Sequence, residues 1–222
     1  MKYETIISDI KLNNFQLSFQ TFKDFSTAVD DFCEFYASST DSKVLEEYSP
    51  YFGHIWPSSL VLSQYMIQLN SDNKSKLQDQ KILEIGSGLA IPSFVCKKMG
   101  LDIAASDFHI DILSFLNENQ KLNNTYFDFF QTNWTQLDSV IKNFNLIIGS
   151  DILYELPQVG TLVNLFKNAS NGQEIIITDP GRTYIQPFLD EMKKIGFKEK
   201  YPVQIQKNPL GNEEIFILHL FR

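Results

Sequence analysis

Residues 81–88 read Lys-Ile-Leu-Glu-Ile-Gly-Ser-Gly, an apolar run that carries one acid and opens straight into a Gly-x-Gly turn. A run this short and this apolar, bounded by glycine, predicts a strand buried on both faces. From there the chain alternates. Strands are expected at 81–85, 102–106, 126–131, 144–150 and 173–178, and helices at 89–99, 109–121, 158–169 and 183–195. Strand, helix, strand in this order implies right-handed crossovers and a doubly wound, largely parallel sheet. Two later runs, 201–206 and 214–221, flank Asn208-Pro209-Leu210-Gly211-Asn212 and predict an antiparallel hairpin at one edge. The expected fold class is therefore α/β, with a mostly parallel seven-stranded sheet.

The N-terminal third is patterned differently. Phe15 to Phe22 alternates with period two, which suggests a strand or hairpin. Phe25, Val29, Phe32 and Phe35 repeat along one face of a helix over 24–36. A breaker-rich connection at 48–53 precedes a second helix from Trp56 to about Leu69, and residues 70–80 are polar enough for a loop. We thus expect an α+β extension over 1–75 and a core over 76–222.

Composition narrows the chemistry. With 43% hydrophobic residues, 19 Phe and 9 Tyr among 222 residues, a sizeable core forms and disorder is disfavoured. The formal net charge of −8 argues against a phosphate-binding surface, so no nucleic acid is expected and a basic protein segment is the more natural partner. Cys33 and Cys96 are isolated, and His54, His109 and His219 lack metal-ligand spacing, so neither a disulfide framework nor a metal site is expected. The start has no charged head followed by an apolar signal core, and no apolar run approaches the roughly 20 residues a membrane span needs. The expectation is a soluble, cytoplasmic monomer without a membrane partner.

Gly86 and Gly88 let backbone approach a ligand, and the helix after them points its amide-rich end at it. A dinucleotide fingerprint would carry a third glycine where Ile91 stands, so a pyrophosphate cradle is disfavoured. Glu84 would also repel a diphosphate, yet it suits a cation such as the amino group or sulfonium of S-adenosylmethionine. Asp107 ends the second strand, where an acid can take both ribose hydroxyls, and Phe108 beside it can cover the adenine. Helix capping is the competing reading of both acids. A third strand ends at Ser150-Asp151, with Tyr154 three residues on; no Gly-x-Ser-x-Gly elbow is present.

Five segments taken together resemble the seven-β-strand, S-adenosylmethionine-dependent methyltransferases, and more narrowly the family 16 protein-lysine methyltransferases. They are Gly53-His54-Ile55-Trp56-Pro57-Ser58-Ser59, Leu83 to Gly88, Ser106-Asp107, Asn133-Trp134 and Asp151-Ile152-Leu153-Tyr154. Asp179-Pro180-Gly181-Arg182 is similar to a motif of the lysine methyltransferases that act on the electron-transfer-flavoprotein β subunit. The resemblance implies a Rossmann-like fold and a protein substrate with an exposed lysine, with S-adenosyl-L-homocysteine as product. It also implies roles: Glu84, Gly86 and Gly88 for the methionine portion, Asp107 for the ribose, Trp134 and Trp56 around the cofactor, and Asp151 with Tyr154 for the acceptor. On the residues alone, Trp56 serves equally as a packing staple and Arg182 as a turn partner of Asp179. A small-amine methyltransferase of the nicotinamide type and a non-catalytic cofactor-binding module remain as alternatives.

Overall fold

A computed structural model describes residues 3–36, 49–72 and 77–222. Tyr48 of the first expected connection and residues 73–76 of the second lie outside the described residues.

The alternating half of the chain forms the predicted sheet. Strands β3 (Lys81–Ile85), β4 (Asp102–Asp107), β5 (Asp128–Gln131), β6 (Leu146–Ser150) and β7 (Glu174–Asp179) run parallel in the order β5-β4-β3-β6-β7. β10 (Glu214–Phe221) closes the series antiparallel to β7. The strand expected over 201–206 forms only as β9 (Gln204–Lys207), and an unexpected β8 (Lys198–Glu199) precedes it; each pairs antiparallel with β10, so the sheet has eight strands. Pro202 between them has no amide hydrogen for the ladder, which accounts for the break.

Side-chain alternation sends each strand's residues to opposite layers. Leu83, Ile85, Ile147, Ile175 and Ile177 pack in one cluster with α5 (Leu156–Lys167) and α6 (Ile185–Lys194). Ile82, Leu146, Ile148 and Ile176 pack on the other face with Val61, Leu62, Tyr65 and Met66 of α2 (Pro57–Asp72). α2 runs past the expected end at Leu69, and its first turn is tied to the sheet by a hydrogen bond from Thr178 Oγ1 to the Ser58 carbonyl at 2.9 Å. α3 (Ile91–Lys98) and α4 (Ile112–Asn123) complete that layer.

Before these elements come the antiparallel pair β1 (Thr5–Leu12) and β2 (Phe15–Phe22) and the helix α1 (Phe25–Tyr36). Leu17, Phe19 and Phe22 of β2 join the cluster formed with α3 and α4. The open edge of β2 is closed by side-chain amides rather than by a strand. Asn123 takes the Ser18 N–H at 3.0 Å and donates to the Ser18 carbonyl at 2.7 Å, while Asn119 takes the Gln20 N–H at 2.6 Å. Both asparagines are buried, so each replaces a backbone partner that the sheet edge would otherwise lack.

Removing that substitute should loosen the hairpin. We expect Asn123→Ala to cost roughly 1–3 kcal/mol of stability, the range for orphaning buried polar groups. Chemical denaturation should move to a lower midpoint, with the amides of residues 15–22 exchanging faster than those of β6.

Candidate active site

The strand order reverses at β3, whose neighbours β4 and β6 are reached by crossovers on opposite sides, and a crevice opens at their carboxyl ends. A cleft of ≈ 380 Å³ lies there, within the usual range for small-ligand sites.

Its floor is the turn after β3. Gly86 and Gly88 sit at φ 60° and 50°, the left-handed region that favours glycine. A Cβ on Gly86 would lie 2.8 Å from Ile152 Cγ2 and 3.4 Å from Trp134 Cζ2, and one on Gly88 would lie 3.3 Å from the Phe52 carbonyl oxygen. Ile152 also fills the space beside Gly149, where a Cβ would meet its Cδ1 at 2.6 Å. One isoleucine therefore plugs a notch between two strand ends, and it places its neighbour Asp151 at the rim.

Asp151 itself holds φ 57°, unusual for a residue with a side chain. The backbone is pinned by its N–H bond to the Thr178 carbonyl at 2.9 Å. Its carboxylate is paired with Arg182 Nη1 at 2.6 Å. The same Nη1 lies 2.8 Å from Asp179 Oδ2, and Asp179 Oδ1 accepts the Gly181 and Arg182 N–H groups at 2.9 and 2.7 Å. Burial raises Asp179 above the ordinary carboxylate range, against the pull of Arg182.

Asp107 stands across the floor, accepting the Gly88 N–H at 2.9 Å and the His109 N–H at 3.1 Å. A carboxylate offers about four lone-pair sites, so acceptor capacity remains for ligand hydroxyls. Its burial pushes its pKa up, and the amides that bind it act in the opposite direction.

The far wall comes from the N-terminal segment. Trp56 Nε1 donates to the Tyr51 carbonyl at 3.0 Å, and His54 packs between Phe25 of α1 and Trp56 with ring centroids 4.8 Å from each. Tyr51 reaches Tyr154 at 6.3 Å between ring centroids. Tyr154 is pushed up to about 12, first by burial and then by Glu155, so it stays a hydrogen-bond donor. Burial lowers His54 while Asp151 raises it, leaving a net depression.

Of the residues expected from sequence, Trp56, Gly86, Gly88, Asp107, Phe108, Trp134, Asp151 and Tyr154 all line this cleft. Glu84 does not. Its carboxylate is fully buried beneath the turn, where Oε2 accepts both the backbone N–H (3.0 Å) and the hydroxyl of Ser93 in α3, and Oε1 is buried without a hydrogen bond among the described residues. Strand alternation explains the placement, since Glu84 shares the face of Ile82, toward the α2–α3 layer. Burial raises its pKa to about 8, with Asp107 adding to the rise and Ser93 opposing it. Tyr51, His54, Glu155 and Arg182 line the cleft without having been expected there. Two of them left a sequence signal: His54 lies in the Gly53–Ser59 segment, and Arg182 stands three residues after Asp179.

The cleft fits an adenosyl ligand on its own features, namely a glycine floor that side chains would block and a carboxylate with spare acceptors beside exposed Phe108. Comparison with known proteins agrees. The lysine methyltransferase model matches residues 43–194. The chain belongs to that family. It is 28% identical over 127 residues to a histidine protein methyltransferase 1 homolog from Dictyostelium discoideum, covering 54% of this chain and 40% of that protein. It is 23% identical over 146 residues to the protein N-lysine methyltransferase METTL21A of Xenopus tropicalis, covering 63% and 66%. The chain thus spans less than two thirds of either relative. Magnesium protoporphyrin IX methyltransferase from Synechocystis, solved with bound S-adenosylmethionine, shares the fold at a TM-score of 0.62 and 14% identity, with 89% of this chain and 92% of that one covered. Fold and family signature are therefore those of S-adenosylmethionine-dependent methyltransferases.

Glu84 makes this site pH-sensitive in the ligand-free protein. Its folded pKa of about 8 lies above the ordinary 4.5, so its contribution to stability is complete below about pH 4.5 and is lost as pH rises through about 8. Wild type should melt lower at pH 8.5 than at pH 5.5. Glu84→Gln, a fixed mimic of the neutral acid, should flatten that difference in a calorimetric scan.

Proposed function

We propose that the protein is an S-adenosylmethionine-dependent N-methyltransferase whose acceptor is a lysine side chain of a protein. The observation that carries this reading is the juxtaposition of two strand ends. The glycine turn with Asp107 and the segment of Asp151 with Tyr154 line one and the same cleft. When bound, S-adenosylmethionine supplies an activated methyl group. Gly86 and Gly88 would offer backbone to its methionine portion, Asp107 would accept its ribose hydroxyls, and Trp134 with Phe108 would border its adenine.

The acceptor side is shaped for a long, cationic side chain. Tyr51, Trp56 and Tyr154 present aromatic faces suited to a lysine's methylene stem and, at its end, to positive charge. Tyr51 is 43% exposed, so this wall reaches the surface, as a protein acceptor requires. The chain's net charge of −8 favours approach by a basic segment.

A free lysine titrates near 10.4 and must lose a proton before its nitrogen can react. Asp151 attracts and orients the incoming nitrogen, and Arg182 beside it opposes retention of the extra proton. Tyr154, protonated throughout the working range, donates a hydrogen bond or lines the entry. The wall from Tyr51 to Trp56 excludes water and holds the partners in one alignment.

Substituting Asp151 separates the two halves of the cleft. We expect Asp151→Ala to lower turnover by about 10²-fold or more, while calorimetry shows S-adenosylmethionine bound nearly as before. Gly86→Val should reverse the pattern and lose the cofactor first. With labelled S-adenosylmethionine and cell extract, label should enter a protein band and be recovered from it as methyl-lysine after acid hydrolysis; label in the small-molecule fraction would overturn the protein acceptor.

A further inference from the structure

Arg182 is the one described cation whose side chain is paired with the acceptor carboxylate, and it is held by more than that pairing. The turn Asp179-Pro180-Gly181-Arg182 anchors it from behind. Asp179 is fully buried, takes two backbone N–H groups of the turn, and binds the same Nη1 that reaches Asp151. Gly181, at φ 92°, lets the turn fold this tightly, and a Cβ there would meet the Phe216 ring at 2.7 Å. The guanidinium thus has a fixed home on Asp179 and an outward contact on Asp151, whose side chain is only 10% exposed.

We propose that Arg182 is a specificity-determining residue, a resident cation that occupies Asp151 in advance and makes any positively charged acceptor compete for that carboxylate. This deepens the functional reading above and rests on its assignment of Asp151 to the acceptor.

The physical reasoning is a competition between two cations for one anion. With Arg182 in contact at 2.6 Å, most of the attraction that Asp151 offers an incoming ammonium is already used. A neutral nitrogen meets no such opposition. The pair therefore weakens ground-state capture of the protonated acceptor relative to the unprotonated form, which is the reactive one. Asp179 keeps its backbone bonds whether or not Nη1 also touches Asp151, so the outward contact can be yielded without leaving a buried charge bare.

Binding measurements test this without a natural substrate. The chain's two tryptophans, Trp56 and Trp134, both line the cleft, so their fluorescence reports on its occupancy. With S-adenosylhomocysteine bound, n-butylammonium should bind Arg182→Gln about tenfold or more tightly than wild type. The uncharged isostere n-butanol should bind both alike, and Arg182→Lys, which keeps a cation, should stay nearer to wild type. Equal or weaker ammonium binding by an Arg182→Gln protein that still takes S-adenosylhomocysteine would overturn the proposal.

Should Arg182→Gln not fold, wild type decides the matter. The chain has two arginines, Arg182 and Arg222, so the guanidinium nitrogens of arginine-labelled protein give two separable sets of signals. Addition of n-butylammonium should shift the Arg182 set and leave Arg222 in place; an unmoved Arg182 set sinks the idea. Failure of wild type to bind S-adenosylhomocysteine is a different result, visible before any amine is added, and it overturns the reading of the cleft as well.

Discussion

Ile152 wedged between Gly86 and Gly149 is the contact on which the working end of the sheet depends. Gly86 follows the last residue of β3 and Gly149 is the penultimate residue of the adjacent β6, and the isoleucine takes the space two missing side chains leave. Close packing turns this into a positional constraint, because a filled notch leaves its occupant one place to sit. The glycine turn and Asp151 are thereby set against one another through a single apolar side chain. Methyl transfer needs that relation to be rigid, since its catalyst works chiefly by alignment.

Around that wedge, charge is arranged in two tiers. Asp107 and Asp151 face the cleft, while Glu84 and Asp179 lie beneath them, fully buried. The lower acids do not line the cleft; they hold groups that do. Glu84 fastens the glycine turn to α3 through Ser93, and Asp179 fastens Arg182 behind Asp151. An acid in such a supporting place is costly to charge, and burial raises both.

Most of the sheet was legible because its strands are buried on both faces. Leu146 to Ser150 is buried throughout, and a continuous apolar run is what such a strand must look like. β1 leaves little signal of its own beside the strand or hairpin that 15–22 suggests, since much of Thr5–Leu12 faces solvent and little of its pattern is enforced by a core. The split of β8 from β9 was likewise hidden, although Pro202 marks the place. In the cleft, Gly86, Gly88, Asp107, Phe108, Trp134, Asp151 and Tyr154 meet because each lies at or just after a strand end whose position the topology dictates. Glu84 went elsewhere because an acid two residues before the turn points above or below according to the pleat. Tyr51 and His54 arrive from a segment whose docking no local pattern encodes.

That docking has a consequence for how such a protein can diversify. Part of the cleft wall is contributed by residues 49–56, steadied by Phe25, rather than by the strands that carry the glycine turn. The cleft's lining is thus drawn from two separate stretches of chain, the aromatic segment 49–56 and the loops after the core strands. Drift at the surface-facing Tyr51 can reshape the cleft's mouth without touching the strands, whereas Phe52, packed on Gly88, ties the loop's backbone to the turn.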